Sequence, residues 1–261
     1  MVPRSIAAVN MLPQDVKAAI YSLFVPPILL DRFAIGRDLR DPNGQSLLEL
    51  RCAEGSTDVV LALRRQVGDP DPILYSHLTD TVTGQVHVLL YVVNDPDSPR
   101  YEVDRMPDGT PTEFGSLQRN LEAEESAMNA GLAPGQIRRG LRILQESIAA
   151  FEAFVRSLGQ DMYFVEPLHY HNAVIFERYG FAYQKGRQLM TEIHAGFARQ
   201  GVLANRLDGS TPFRQPGQEA CVRGRSWAIQ DGILGHAFTE MTMYKRIAQV
   251  SGMDTAPGVR W

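Results

Sequence analysis

Cysteine is almost missing from this chain of 261 residues: Cys52 and Cys221 are the only two. Two thiols cannot build a disulfide framework or a Cys-rich zinc site, and the simplest home for such a chain is a reducing cytoplasm. Long apolar runs are missing as well. The best, "IYSLFVPPILL" at 20–30, is interrupted by Pro26 and Pro27, and the N-terminus has no charged-then-apolar secretory pattern, so no membrane association or targeting segment is expected. Nor is one sign of charge in excess. Lys and Arg number 26 against 30 Asp and Glu, a formal −4, which argues against nucleic acid or an anionic membrane held by bulk charge. No internal repeat or low-complexity tract is found. What is present, 44% hydrophobic and 21% charged residues, fits a soluble globular chain with a sizeable core.

Along the chain, apolar spacing at Val16, Ile20 and Phe24, restarting after the prolines at Ile28, Leu29 and Phe33, predicts two short helices over 12–35. Four strand-like runs follow at 46–52, 58–66, 72–80 and 85–93, separated by short Gly, Asp, Pro and Thr-rich connections, as an antiparallel meander requires. An irregular insertion covers about 94–131, with a small hairpin expected at "PDGT". Ile137, Leu141, Leu144, Ile148, Phe151, Val155 and Leu158 then form one apolar stripe, predicting a long helix. "DMYFVEP" at 161–167 reads as a buried strand, and "HYHNAVIFERYG" as a short helix closed by Gly180. A further helix is expected over roughly 186–197. A second irregular insertion, rich in glycine, covers about 199–236, and "FTEMTMYKRIAQV" suits a late strand.

The segment "NAVIFERYGF" after the strand "DMYFVEP" resembles the short helix that follows the fifth strand in the GNAT superfamily of acyl-CoA-dependent acyltransferases, with Phe176, Glu177, Arg178, Tyr179, Gly180 and Phe181 in its motif places. The closing "MTMYKRI" is similar to that family's last strand. The resemblance covers roughly 57–93, 132–185 and 237–247. It implies one α/β (α+β) domain over 1–261: a GNAT-like mixed, mostly antiparallel sheet with helices on both faces, bearing two insertions.

It also implies a cofactor and a chemistry. Acetyl-CoA or another acyl-CoA would be the co-substrate, its acyl group passing directly to a small amine-bearing acceptor. The backbone near Val92 and Val93 would pair with the pantetheine arm, with Asn172 also among the CoA-binding residues. The family's phosphate loop, Arg/Gln-x-x-Gly-x-Gly/Ala, falls on "IRRGLR" at 137–142. There Gly140 keeps a glycine, Ile137 replaces the Arg/Gln, and Arg142 replaces a small residue. Arg142 either crowds the phosphates or, with Arg138 and Arg139, neutralises them; the other reading is three solvated arginines on a helix face. Phe176 stands where many members carry the acid tyrosine, leaving Tyr179 or Tyr183 to protonate the thiolate, unless they are core aromatics. Glu166, at a strand end, would assist deprotonation or else cap the next helix. His87 and Tyr91, by simple alternation, share one face of the fourth strand and would line the substrate pocket with His169 and His171.

Two other classes stay open: a GNAT-like binding or assembly protein without CoA activity, and a His/Glu metalloenzyme. Glu166, His169 and His171 form Glu-x-x-His-x-His, although on a helix His171 would point away from the other two. A hairpin turning at residue 82 would set His77 beside His87. In the late insertion, Arg206, Arg214, Arg223 and Arg225 either hold a carboxylate or phosphate or pair within the loop. The insertions also offer surfaces on which a homodimer could form.

Overall fold

The computed structural model describes residues 2–112 and 118–261. The chain is mixed α/β, with eight α-helices among the described residues and a mostly antiparallel seven-stranded sheet. The sheet strands are β1 Leu48–Arg51, β2 Asp58–Leu63, β3 Leu74–Asp80, β4 Val86–Val93, β5 Met162–Val165, β6 Ala182–Lys185 and β7 Thr242–Arg246, in spatial order β1-β2-β3-β4-β5-β7-β6. All four strands of the expected meander form, each within the range its alternation predicts. The helices are α1 Ile6–Asn10, α2 Gln14–Ser22, α3 Pro27–Arg32, α4 Leu121–Asn129, α5 Leu144–Ser157, α6 Tyr170–Arg178, α7 Arg187–Gly196 and α8 Val222–Gln230. No described helix is long and apolar enough to cross a membrane.

The contacts group the chain into two compact units. The first comprises Met1–Asp97, Gly140–Glu166 and Tyr244–Gln249; the second comprises Ser98–Arg139, Pro167–Met243 and Val250–Trp261. In the first, α5 lays its apolar stripe on the β-sheet and on the N-terminal helices. Phe151 meets Tyr163 of β5 at 5.0 Å between ring centroids and Phe24 at 6.2 Å, while Phe154 meets Tyr21 at 5.8 Å. Burying such rings contributes about 1.5 to 3 kcal/mol each. The unforeseen α1 is fixed at its start by Asp80, whose carboxylate accepts from the amides of Ile6 and Ala7 at 2.8 Å each. That satisfies two of the orphan donors every helix start exposes.

The second unit contains most of both insertions, and the regular structure there departs from expectation. The composition of 118–131 and 199–236 reads as loop, yet α4 and α8 lie within them. Asn120 caps α4 by accepting from Ala123 N at 3.2 Å, with Glu122 and Glu124 in the first turn, a start signal that was legible. In α8 the glycine is a packing requirement: a Cβ on Gly224 would sit 2.4 Å from the carbonyl oxygen of Gln218. The turn at "PDGT" forms as expected, with Met106 N donating to Thr110 O at 2.8 Å. Residues 113–117 of that insertion lie outside the described residues.

Helix α5 starts seven residues later than the stripe from Ile137 suggests. Arg142 has φ +59°, which no helix continues through, and Ile137 instead packs on the core of Val103, Ala127 and Leu132 in the second unit. A left-handed residue other than glycine costs about 1 to 2 kcal/mol. Arg142→Gly should therefore raise stability by about 0.5 to 1 kcal/mol in urea titrations once the looser unfolded chain is counted. A loss of stability would show instead that the arginine side chain makes a stabilising contact.

Candidate functional site

The first unit concentrates unpaired backbone at one place. β4 and β5 run parallel and are in register for only two pairs, His87 with Phe164 and Val88 with Val165. The amide of Glu166 then donates to Val88 O at 3.0 Å, and β5 ends while β4 runs on to Val93. Opposite, β3 and β4 slip: His77 pairs with Leu90 and Leu78 with Val88, so Leu89 is an extra residue, a β-bulge. The bulge and the parting of the strands fall on consecutive residues. From Leu89 to Val93, no described strand pairs with the outer edge of β4.

The start of α5 lies beside that edge. A Cβ built on Gly140 would come within 3.4 Å of the carbonyl oxygen of Val93. Among the described residues, no acceptor pairs with the peptide N–H groups from Gly140 to Glu146; the first helical bond is Ser147 N to Ile143 O at 2.9 Å. A run of free amides at the N-terminus of a 14-residue helix presents partial positive charge to an anion. Arg142 is exposed and takes the left-handed conformation that a glycine would adopt freely.

The bulge also changes which side chains meet. Residues directly opposite in a β pair share a face. His87 faces Thr79 and Tyr91 faces Ser76, three positions apart on β3, so His87 and Tyr91 lie on opposite faces of β4 rather than the same one. Simple alternation fails because Leu89 adds one residue between them. Tyr91 points toward Ser147 in the first turns of α5. Burial raises its hydroxyl pKa above the ordinary value, the neighbouring Ser147 opposes the shift, and neither hydroxyl makes a hydrogen bond of normal geometry to a described residue. His87 shares its face with Phe164 and Glu166. Its Nε2 is buried without a partner, and burial lowers its pKa while the carboxylate of Glu166 opposes the shift. Ser147 and the bulge at Leu89 were not foreseen; a serine in an apolar stripe carries no signal without its neighbours.

His77 and His87 do not stand side by side. The register centres the hairpin nearer residue 83, and His77 Nε2 instead meets Asp58 Oδ1 at 2.7 Å.

In the second unit, His169 caps α6 in extended backbone, with φ −135° and ψ 156°, so helical spacing does not govern it. Its ring stacks on His171 at 5.5 Å and 12°, correcting the expectation that the two diverge. Asn172 Oδ1 accepts from His169 N at 3.2 Å, and its Nδ2 faces His171 Nε2 at 3.2 Å. Because that amide nitrogen only donates, the proton of His171 is assigned to Nδ1, which meets Ser226 Oγ at 2.9 Å. Both polar ends of Asn172 and both nitrogens of His171 are thus occupied. Burial lowers the pKa of His169 to about 4 and that of His171 well below its ordinary range, the latter helped by His169. Among the described residues, no group of three His, Cys, Asp or Glu side chains could hold a metal ion.

Glu177 is buried and accepts from Tyr183 Oη at 2.5 Å, Thr255 N at 2.9 Å and Thr255 Oγ1 at 2.6 Å. Burial, then Glu177, raises the pKa of Tyr183. Tyr179, the C-cap of α6, is exposed, and Gly180 follows at φ +85° as the expected left-handed cap. Arg138 Nη1 donates to Ser98 O and Arg139 Nη2 to Ala130 O at 3.1 Å, so both guanidinium groups serve backbone carbonyls. Three late-insertion arginines pair within it, Arg214 Nε with Asp231 Oδ2 at 2.8 Å, Arg206 Nη1 with Ile233 O at 3.0 Å and Arg225 Nε with Glu219 O at 2.7 Å, while Arg223 Nη1 donates to Gly131 O outside it. An open cleft of about 670 Å³ between α4 and residues 209–218 contains none of the sequence-predicted residues. No protein-family model matches the chain, and neither does any curated protein or solved structure.

Proposed function

We propose that the chain is an acyltransferase that moves an acyl group from a CoA thioester to a small amine-bearing acceptor. One observation carries this reading: the parallel β4–β5 pair opens after Val88, at the bulge, beside the free amides that begin α5. An extended amide chain of pantetheine type needs an unpaired strand edge to bond with, and a diphosphate needs convergent N–H donors; the first unit offers both within one short stretch. Val92 and Val93 would pair with the arm. The amides from Gly140 onward would hold phosphate oxygens, with exposed Arg142 adding charge from the side. Glu166, with His87 on the same face, would take the proton from the attacking amine. The departing thiolate would take its proton from solvent, since Tyr91 lies on the face of β4 opposite Glu166 and His87.

Calorimetry with acetyl-CoA tests the reading. Wild-type protein should bind, and Gly140→Val, which places methyl groups against the Val93 carbonyl, should weaken binding at least about tenfold, or 1.4 kcal/mol, with an unchanged circular dichroism spectrum. Absence of heat at high micromolar acetyl-CoA would remove the enzyme reading and leave a binding scaffold.

A further inference from the structure

One buried amine in the first unit has a thiol as its partner. Lys17 and Lys245 are the lysines among the buried residues described, at 8% and 6% exposure. Lys245 Nζ has the carboxylate of Glu152 at 4.0 Å and donates to Gln249 O at 3.0 Å. Lys17 Nζ, on α2, donates to Cys52 Sγ at 3.8 Å, and among the described residues no carboxylate or other acceptor shares it. Cys52 is the first residue past β1 and is half-buried, which leaves it accessible to a solute as small as hydrogen peroxide. Tyr21, one turn along α2 from Lys17, commits its hydroxyl to Asn10 Oδ1 at 2.8 Å and does not compete for either group.

An oxidised cysteine becomes a switch when a second nucleophile stands beside it, because a sulfenic acid condenses with a nearby thiol or nitrogen. Burial holds the Lys17 nitrogen against the sulfur, and its flexible four-carbon stem lets it close the remaining distance. The other thiol lacks this arrangement. Cys221 caps α8, its sulfur accepting from Gly224 N at 3.2 Å, and no described lysine donates to it.

We propose that Cys52 and Lys17 form a redox modification site, at which hydrogen peroxide joins the sulfur to the amine nitrogen as a sulfenamide and ties α2 to the end of β1. In its thiolate form Cys52 attacks one peroxide oxygen, and the O–O bond breaks. Sulfur gives up two electrons, and the departing hydroxide takes a proton from the Lys17 ammonium to leave as water. The freed amine then attacks the sulfenic sulfur, the S–O bond breaks, and this hydroxide leaves as water with a second nitrogen proton. One peroxide is reduced to two waters, and the pair loses two hydrogen atoms. The inference is independent of the acyl-transfer reading and would survive its failure.

The test uses the full chain, freed of reductant and treated with hydrogen peroxide, read by intact mass and by peptide mapping. The wild type should lose two hydrogen atoms, the peptides carrying Lys17 and Cys52 should be recovered as one joined species, and dithiothreitol should separate them. Lys17→Arg keeps the charge and the long stem but offers a poor nucleophile. It should give no joined species, and dimedone should trap the Cys52 sulfenic acid severalfold more than in wild type. Cys52→Ser should show neither product. Three results would overturn the proposal: a joined species that keeps an oxygen atom, oxidation confined to Cys221, or dimedone labelling of Cys52 equal in wild type and Lys17→Arg.

Discussion

Glu177→Ala should destabilise the protein by about 3 to 5 kcal/mol, the range expected when a buried carboxylate is removed from several donors at once. Three donors converge on this side chain: the Tyr183 hydroxyl from β6, and the amide and hydroxyl of Thr255 from the C-terminal segment. Removing it takes the acceptor from all three donors, two of which belong to buried Thr255. The same segment is otherwise tied to α6 by Arg178 Nη2 donating to Val259 O at 2.9 Å, so loosening should begin around Thr255 and show there first in hydrogen exchange. Glu177→Gln keeps the volume and one acceptor but turns a donor toward donors, and should lose roughly half as much. Urea titrations of the three proteins measure this. A cost below about 1 kcal/mol for the alanine variant would mean water takes over the donors and the carboxylate is no anchor.

Acid should act on the same unit through His169 and His171. Both are held neutral in the fold, with His169 lowered from 6.5 to about 4 and His171 lowered well below its ordinary value by burial and by His169. The sign follows from proton counting. Below about pH 6.5 the unfolded chain binds protons that the folded one refuses, so stability falls as pH drops, and for His169 the fall continues until the folded ring itself titrates near 4. For His169 alone the loss approaches ~3 kcal/mol, and because the two rings stack, their contributions are coupled rather than additive. Carboxylates also contribute to acid sensitivity, so the informative comparison is between wild type and His169→Gln at pH 7 and pH 4.5. The variant should lose distinctly less stability over that interval. Parallel curves for the two proteins would place the acid sensitivity elsewhere.

The sequence expressed local patterns faithfully where one burial demand acted on one element. The stripe from Leu144 to Leu158 became α5, the four alternating runs became β1 to β4, and Gly180 closed α6 in the left-handed conformation the pattern asked for. Where two demands overlapped, the pattern misled. Ile137 and Leu141 continue the stripe of α5, but Ile137 serves a different core, and the helix cannot pass Arg142. In α8 glycine reads as loop, although Gly224 is there because the chain at Gln218 lies too close for a side chain.

The candidate site was legible in parts. Glu166, Val92, Val93 and Gly140 could be picked out from strand ends and from the phosphate-loop resemblance, because short motifs survive as short strings. The stacking of His169 on His171, the commitment of Tyr183 to Glu177 and the carbonyl partners of Arg138 and Arg139 join residues far apart in the chain or depend on a cap geometry, and nothing in a linear spacing encodes them.

By itself the sequence determined the two helices of 12–35, the strands β1 to β5 and β7 and the helices α5 to α7, since amphipathic periodicity is a property of each segment taken alone; α1, α4 and α8 were not read from it. Only the tertiary structure decided that Leu89 bulges, that His87 and Tyr91 therefore face opposite ways, and that β4 leaves β5 at Val88. Register is a relation between strands: one extra residue reverses every side chain beyond it, and that reversal is set by the neighbouring strand rather than by β4's own alternation.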